Sequence, residues 1–179
     1  MAPVYIGLLH YPIYNKHMEI VTTALTNYDL HDISRTARTY NVSTYFIIHP
    51  IEKQREMAYR VMNHWKSGYG TQYNPDRKDA FITTELVSDL ETAVNTIEKE
   101  CGKKPIVVTT DARVYPNTVG YPFIRKKILE EENPIFILFG TGFGMTKEMM
   151  KNFDYILEPI YGGGEYNHLC VRSAVAIIL

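Results

Sequence analysis

Residues 134–145 read PIFILFGTGFGM. A proline opens the stretch, an unbroken apolar run follows, and glycines then arrive at positions 140, 142 and 144. An apolar run of this length without alternation is a strand buried on both faces, as in a parallel sheet. Glycines directly after such a strand let a ligand approach backbone N–H groups closely. Their spacing, G-x-G-x-G, departs from the G-x-G-x-x-G of dinucleotide-binding turns, and the motif lies late in the chain. A nicotinamide site of that type is therefore excluded. A tight strand-to-helix turn accounts for the glycines equally well.

Working outward, further strands are expected at Val4–Leu9, Ser43–His49, Phe81–Val87, Pro105–Thr110 and Tyr155–Leu157. Helical patterns fall between them. Asp32 caps a helix running to Tyr40, and Pro50 precedes one over Ile51–Trp65. Ser88 and Glu91 match a capping box ahead of the stripe Leu90, Val94, Ile97, Cys101, which Gly102 stops. Pro122 opens a helix that ends before Asn133-Pro134. Leu169–Leu179 is almost wholly apolar and reads as a buried helix. Alternation of this kind predicts an α/β domain with a largely parallel sheet flanked by helices. Lys66–Asp79 (KSGYGTQYNPDRKD) reads as a long polar loop, either a lid or a surface insertion.

The composition agrees with one folded domain. The chain has 179 residues, 45% of them hydrophobic and 22% charged, with 19 Lys+Arg against 20 Asp+Glu. A disordered chain, a collagen-like repeat and a strongly basic coat are excluded. The two cysteines, Cys101 and Cys170, form no CxxC pair, which fits a reducing compartment. No apolar run approaches the ~18 residues of a membrane span, and the start MAPVYIGLLHYPIY lacks a basic leader. A cytoplasmic protein without membrane contact is expected. The six histidines show no ligand spacing, so no metal is expected, and no P-loop or G-x-S-x-G elbow occurs.

Three further constellations carry chemical potential. TNYDLHDISRTAR (26–38) concentrates Asn27, Asp29, His31, Asp32, Arg35 and Arg38 at a helix start. Capping explains Asp32 but not the pile-up beside it. TTDARVYPN (109–117) lies beyond a strand end, where ligands of open α/β sheets bind, and Asp111 there reads mainly as a turn residue. LEPIYGGGEYNHLCVRSAVAI (157–177) places three glycines and Tyr166, Asn167 and His168 before a helix bearing Arg172. An arginine among apolar residues needs a partner or a boundary, and Glu158 is the acid at hand.

These segments, with LLHYPIYN (8–15), resemble a bacterial RNA methyltransferase family of the SPOUT superfamily across nearly the whole chain. The resemblance implies one SPOUT-like domain over residues 1–179, with the C-terminal segment threaded as a deep trefoil knot. It implies a homodimer, S-adenosylmethionine (SAM) as cofactor and RNA, either tRNA or rRNA, as substrate. Carried onto this sequence, the motif-two loop puts Phe139, Gly140, Thr141, Gly142 and Gly144 at the cofactor. Motif three adds Glu158, Pro159, Ile160, His168, Leu169 and Val171, and Thr110 joins them. Arg35 matches the motif-one arginine, with Asp32 or His31 as proton acceptor. Asn27, Arg38, Tyr14 and Asn15 fall to the substrate. Cys170 and Asn41 stand where many members carry Asn and Gly, which leaves the choice between ribose and base open. Lys53, Arg55, Arg60, Lys66, Arg77 and Lys78, interleaved with Tyr59, Trp65, Tyr69 and Tyr73, form a basic aromatic stretch suited to RNA or to a solvated face. Two other readings remain open from the residues: a non-catalytic SAM- or nucleotide-binding module, and an α/β enzyme acting on a small metabolite.

Overall fold

The unbroken apolar run of residues 135–139 becomes a strand with every side chain buried, and the rest of the sheet is laid out beside it. The computed structural model describes residues 1–67 and 69–179. Its strands are β1 (Val4–Leu9), β2 (Ile13–Tyr14), β3 (Ile20–Val21), β4 (Tyr45–Ile48), β5 (Thr84–Val87), β6 (Ile106–Thr110), β7 (Thr118–Val119), β8 (Ile135–Gly140) and β9 (Tyr155–Leu157). Its helices are α1 (Asn27–Thr39), α2 (Glu52–Ser67), α3 (Tyr69–Tyr73), α4 (Pro75–Ala80), α5 (Leu90–Cys101), α6 (Tyr121–Glu130), α7 (Lys147–Met150) and α8 (Val171–Ile178). Seven strands form one sheet in the order β5-β4-β1-β8-β6-β9-β7, and every pairing in it is parallel. The short strands β2 and β3 make a separate antiparallel hairpin.

Helices cover both faces of the sheet, as the double-sided burial of β1, β4 and β8 requires. Leu30, Ile33 and Ala37 of α1 join Ala58 and Met62 of α2, Ile124 of α6 and Val175 of α8 on one face. Ala93 and Ile97 of α5 and Met150 of α7 cover the other, against Phe46, Phe136 and Leu138. Between β1 and β8 the packing leaves no room at Gly7. A Cβ there would stand 2.8 Å from Phe136 Cζ and 3.0 Å from Leu138 Cδ1.

Four local expectations are corrected. The cap of α1 is Thr26, whose hydroxyl accepts from Asp29 N–H, so Asp32 lies within the helix rather than at its start. The cap of α5 is Asp89, which accepts from Thr92 N–H, not Ser88. Lys66–Asp79 is not a loop: apart from Gly68, which lies outside the described residues, it closes α2 and forms α3 and most of α4, with Asn74 and Pro75 starting the last turn-and-a-half. Finally, α8 is not buried as a whole. Val175 is its one buried residue, while Ala176 and Ile177 face outward. Among the described residues no helix is long and apolar enough to cross a membrane.

The contact at Gly7 gives the first test. Gly7→Ala overpacks the layer between β1 and β8 and should lower the unfolding free energy by about 1–3 kcal/mol. Urea denaturation monitored by circular dichroism measures it.

Candidate active site

All seven strands point the same way, so the segments after β6, β8 and β9 emerge along one edge as neighbours. The loop after β8 is shaped by its glycines. Gly142 and Gly144 both take positive φ, 56° and 96°. A Cβ on Gly142 would meet Ile13 Cγ2 at 2.9 Å, and one on Gly144 would meet Arg113 Nη2 at 3.0 Å. The β2–β3 hairpin braces this turn through backbone. Tyr14 N–H donates to Gly144 O at 2.9 Å, and Phe143 N–H donates to Tyr14 O at 3.0 Å.

Thr141 anchors the same loop from below. Its hydroxyl donates to Leu9 O at 3.0 Å and meets the Thr23 hydroxyl at 2.5 Å. Thr23 in turn joins two histidines at the ends of β1 and β4. Its N–H donates to His10 O, and its carbonyl accepts from His49 Nε2 at 3.0 Å. The two rings lie 4.9 Å apart. His49 Nδ1 accepts from Ile51 N–H, which fixes a neutral ring with its proton on Nε2. His10 Nδ1 donates to Ile48 O, and its buried Nε2 has no partner among the described residues. Burial, then the neighbouring His49, holds His10 down to about 4, and burial lowers His49 as well.

The loop after β6 contributes a strut. Arg113 donates twice to Asp111, at 2.9 Å to each carboxylate oxygen, and Tyr115 OH donates to Asp111 Oδ2 at 3.2 Å. Asp111 is thus more than a turn residue: with Arg113 it wedges against Gly144. The loop after β9 completes the cluster. Glu158 accepts from Tyr121 N–H at 3.1 Å, and Pro159 behind it is buried. Asn167 Nδ2 donates to Ala112 O at 3.1 Å, tying this loop to the β6 loop. Space is open around Gly162, Gly163 and Gly164, where added Cβ atoms would meet nothing within 4 Å. Thr110, Gly140, Thr141, Gly142, Gly144, Glu158, Pro159 and Ile160 therefore gather at one edge, whereas the Phe139 side chain points into the core. His168 and Leu169 are exposed on the approach to Val171, the first residue of α8.

The second candidate group lies on α1. Arg172 of α8 pairs with Asp29 at 3.0 Å and with Asp32 at 3.5 Å, not with Glu158 as the sequence suggested. Asp29 is buried, and its other carboxylate oxygen accepts from the Thr26 hydroxyl. The pattern T-x-x-D at 26–29 marks that cap in the sequence. Asp32, Arg35, Thr36, Thr39 and Tyr40 of α1 with Ala176 of α8 line a shallow concavity. His31 turns away from it, against Phe81 at 5.1 Å and Trp65 at 6.0 Å, and burial lowers its pKa. Asn27 is exposed at the start of α1. Arg38 is engaged by Asp79 in two hydrogen bonds, and Asn15 closes its own hairpin by accepting from His17 and Glu19 N–H. No cluster of metal-ligating side chains occurs among the described residues.

Comparison with known proteins follows the same lines. A family described as SAM-dependent RNA methyltransferase matches residues 3–179. An uncharacterized protein of Aquifex aeolicus is 48% identical over 98% of this chain and 86% of its own length. A tRNA (guanine-N(1)-)-methyltransferase of Oleidesulfovibrio alaskensis is 40% identical over 98% of this chain, which spans 41% of that relative. The same enzyme name applies to a relative from Nitratidesulfovibrio vulgaris, 38% identical, of which the chain again spans 41%. Among solved structures, a probable methylase family protein of Haemophilus influenzae superposes with a TM-score of 0.64 at 16% identity, over 99% of this chain and 62% of that one. The SpoU methyltransferase AviRb of Streptomyces viridochromogenes, solved with AdoMet, gives 0.59 at 11% identity, over 99% and 55%. These structures show a shared fold.

The histidine pair sets a pH dependence. A ring held near 4 in the folded chain and at its ordinary value of 6.5 when unfolded takes up its proton in the unfolded state first. The stabilisation is complete above pH 6.5 and is lost as pH falls from there through about 4. Between those limits His10 should remove about 3 kcal/mol. Urea titrations at pH 7.5 and pH 4 should show that loss, and His10→Asn should flatten the difference by about the same amount.

Proposed function

Because the chain belongs to the family of SAM-dependent RNA methyltransferases, we propose that residues 1–179 form one methyltransferase domain acting on tRNA, with the loops after β6, β8 and β9 as its SAM cradle. The enzyme uses SAM and methylates RNA. tRNA is favoured by the two relatives named as tRNA methyltransferases, and their name points to guanine N1 as the acceptor.

The residues at the sheet edge fit the cofactor. The turn at 140–144 and the glycines at 162–164 follow strands on either side of β6, and nothing within 4 Å would crowd a Cβ at Gly162, Gly163 or Gly164. Gly140, Thr141, Gly142 and Gly144 would hold it on one side. Glu158, Pro159, Ile160, Leu169 and Val171 would hold it on the other, with Thr110 and His168 at the rim. SAM supplies a sulfonium-activated methyl group. The protein's task is alignment of that methyl with the nucleophile, which supplies much of the rate.

The Arg35 side chain has no hydrogen-bond or ion-pair partner among the described residues and lies in the concavity beside Asp32, which suits it to position the nucleotide or balance developing charge. Asp32 is half-exposed and is the better placed proton acceptor. His31 is packed on Trp65 and Phe81 and serves α1 as a packing residue instead. Asn27 and Tyr14 stay available to the substrate, Tyr14 through its hold on the glycine turn.

The outward face of α8 and α1, with Ile177, Tyr28 and Tyr40 exposed, supports a homodimer that brings Arg35 towards the cradle of the second copy. The threaded C-terminal path and a cytoplasmic setting complete this reading. The observation that carries it is the convergence of three loops on one edge within a chain matched to the family over residues 3–179.

Isothermal titration with SAM should give saturable heat, and label from methyl-labelled SAM should enter bulk tRNA. Arg35→Ala should retain SAM binding and lose at least tenfold in transfer rate. Failure to bind SAM in a folded sample overturns the cradle, and full activity of Arg35→Ala overturns the role of Arg35. Sedimentation should show a dimer, and Ile177→Glu should shift it to monomer.

A further inference from the structure

The helical segment between β4 and β5 carries features that folding alone does not require. Tyr69 and Tyr73 stand one turn apart on α3, with ring centroids 6.4 Å apart and planes inclined by 26°. They are 75% and 76% exposed. An aromatic side chain stabilises a fold by being buried, and these two contribute little in that way.

What lies behind them is tightly built. Gly70 is buried, and a Cβ there would stand 2.7 Å from Trp65 Cε3 and 3.1 Å from His64 O. Thr71 Oγ1 donates to Trp65 O at 2.8 Å. The Arg77 guanidinium lies 4.5 Å over the Trp65 ring, and His31 meets that ring edge-on. The two tyrosines are therefore held on a fixed ledge and face outward from it.

Charge around the ledge favours an anion. Lys66 near the end of α2 and Lys78 of α4 lie on the two helices packed against α3, and Arg77 stands over Trp65, whereas Arg60 lies further back on α2 in a shallow groove shared with Glu52 and Glu56. Of the acids on these helices, Glu52 and Glu56 sit in the first two turns of α2, roughly 22 and 16 Å along the axis from its end. Asp79 is engaged by Arg38, Glu85 of β5 acts on Lys66, and Asp76 of α4 has no ion pair among the described residues. Arg55, counted with this group in the sequence, instead donates to His49 O and Pro50 O and belongs to the β4 end.

We infer that this ledge docks unpaired nucleotides of the RNA substrate, two bases stacking on Tyr69 and Tyr73 with their phosphates beside Lys66 and Lys78. This rests on the RNA methyltransferase reading and names the form of RNA it grips. An exposed aromatic plate accepts the π-face of an unstacked base, which a duplex hides. The ledge is continuous with the reaction region, because His31 carries the contact from Trp65 to the helix that bears Asp32 and Arg35.

The test uses the full chain and a fluorescent 12-nucleotide single-stranded RNA of mixed sequence, with a 12-base-pair RNA duplex as comparison. Wild type should bind the single strand more tightly than the duplex. Tyr69→Ala and Tyr73→Ala should each weaken binding of the single strand roughly tenfold. Tyr69→Phe and Tyr73→Phe should retain it, and SAM affinity should stay unchanged throughout. Lys66→Gln with Lys78→Gln should make the salt dependence of binding shallower. If wild type binds and methylates RNA while both alanine variants bind the single strand as wild type does, the ledge is not the docking site and the methyltransferase reading stands. Preference for the duplex likewise overturns the ledge alone. If wild type binds SAM but neither RNA, the substrate class falls and the ledge with it.

Discussion

Running seven strands in a single direction has one unavoidable result: the segments that leave their C-terminal ends share one edge of the molecule. β6 lies between β8 and β9, so the loops after these three strands are neighbours before any side chain is considered. The chain then needs devices to keep these loops from collapsing onto each other. A braced glycine turn, an aspartate–arginine strut and an asparagine tether perform that role, each drawing on a different loop. Substituting any one of them alters the shape of that edge without touching the sheet.

The other organising contact joins the two helices nearest the chain's ends. Asp29 is buried on α1, and a buried carboxylate without a cation is costly. Arg172 meets it from α8, 143 positions away. The same guanidinium reaches Asp32 and lies 5.5 Å from the Tyr28 ring centroid. Docking of α8 and the charge environment of Asp32 are thereby one event. What looked in the sequence like an arginine lost among apolar residues is the fastening of the final helix.

Much of this architecture was legible because it depends on local pattern. Double-sided apolar runs give the parallel sheet, and Pro and Gly mark most element ends. The failures have physical causes. Lys66–Asp79 looks polar because Tyr69 and Tyr73 face outward and Gly70 and Arg77 pack on Trp65, a residue before the segment. Helix periodicity cannot be seen in helices of five and six residues. The cap of α1 lies six positions before Asp32, where Thr26 and Asp29 cap one another in a pattern the local cluster of charges obscured. α8 is apolar enough to be core, yet burial depends on what covers it, and only one of its faces meets this chain. The glycine turn after β8 was legible because its glycines follow directly on an unbroken apolar run. Thr23 and the histidine pair left no signature, because they come together only through the pairing of β1 with β4.

The glycine-rich segment at 162–164 has a thermodynamic corollary. It is exposed, and one side-chain tether at Asn167 secures the stretch that follows it. Segments with so little buried area open at small cost in free energy. Closing it over a guest immobilises three residues that have more backbone freedom to lose than any others, at roughly 1–2 kcal/mol each. That entropic toll weakens grip by an amount unrelated to how well the surfaces match. On the proposed reading of this edge as a SAM site, it also hastens departure of the spent carrier and suits exchange rather than storage.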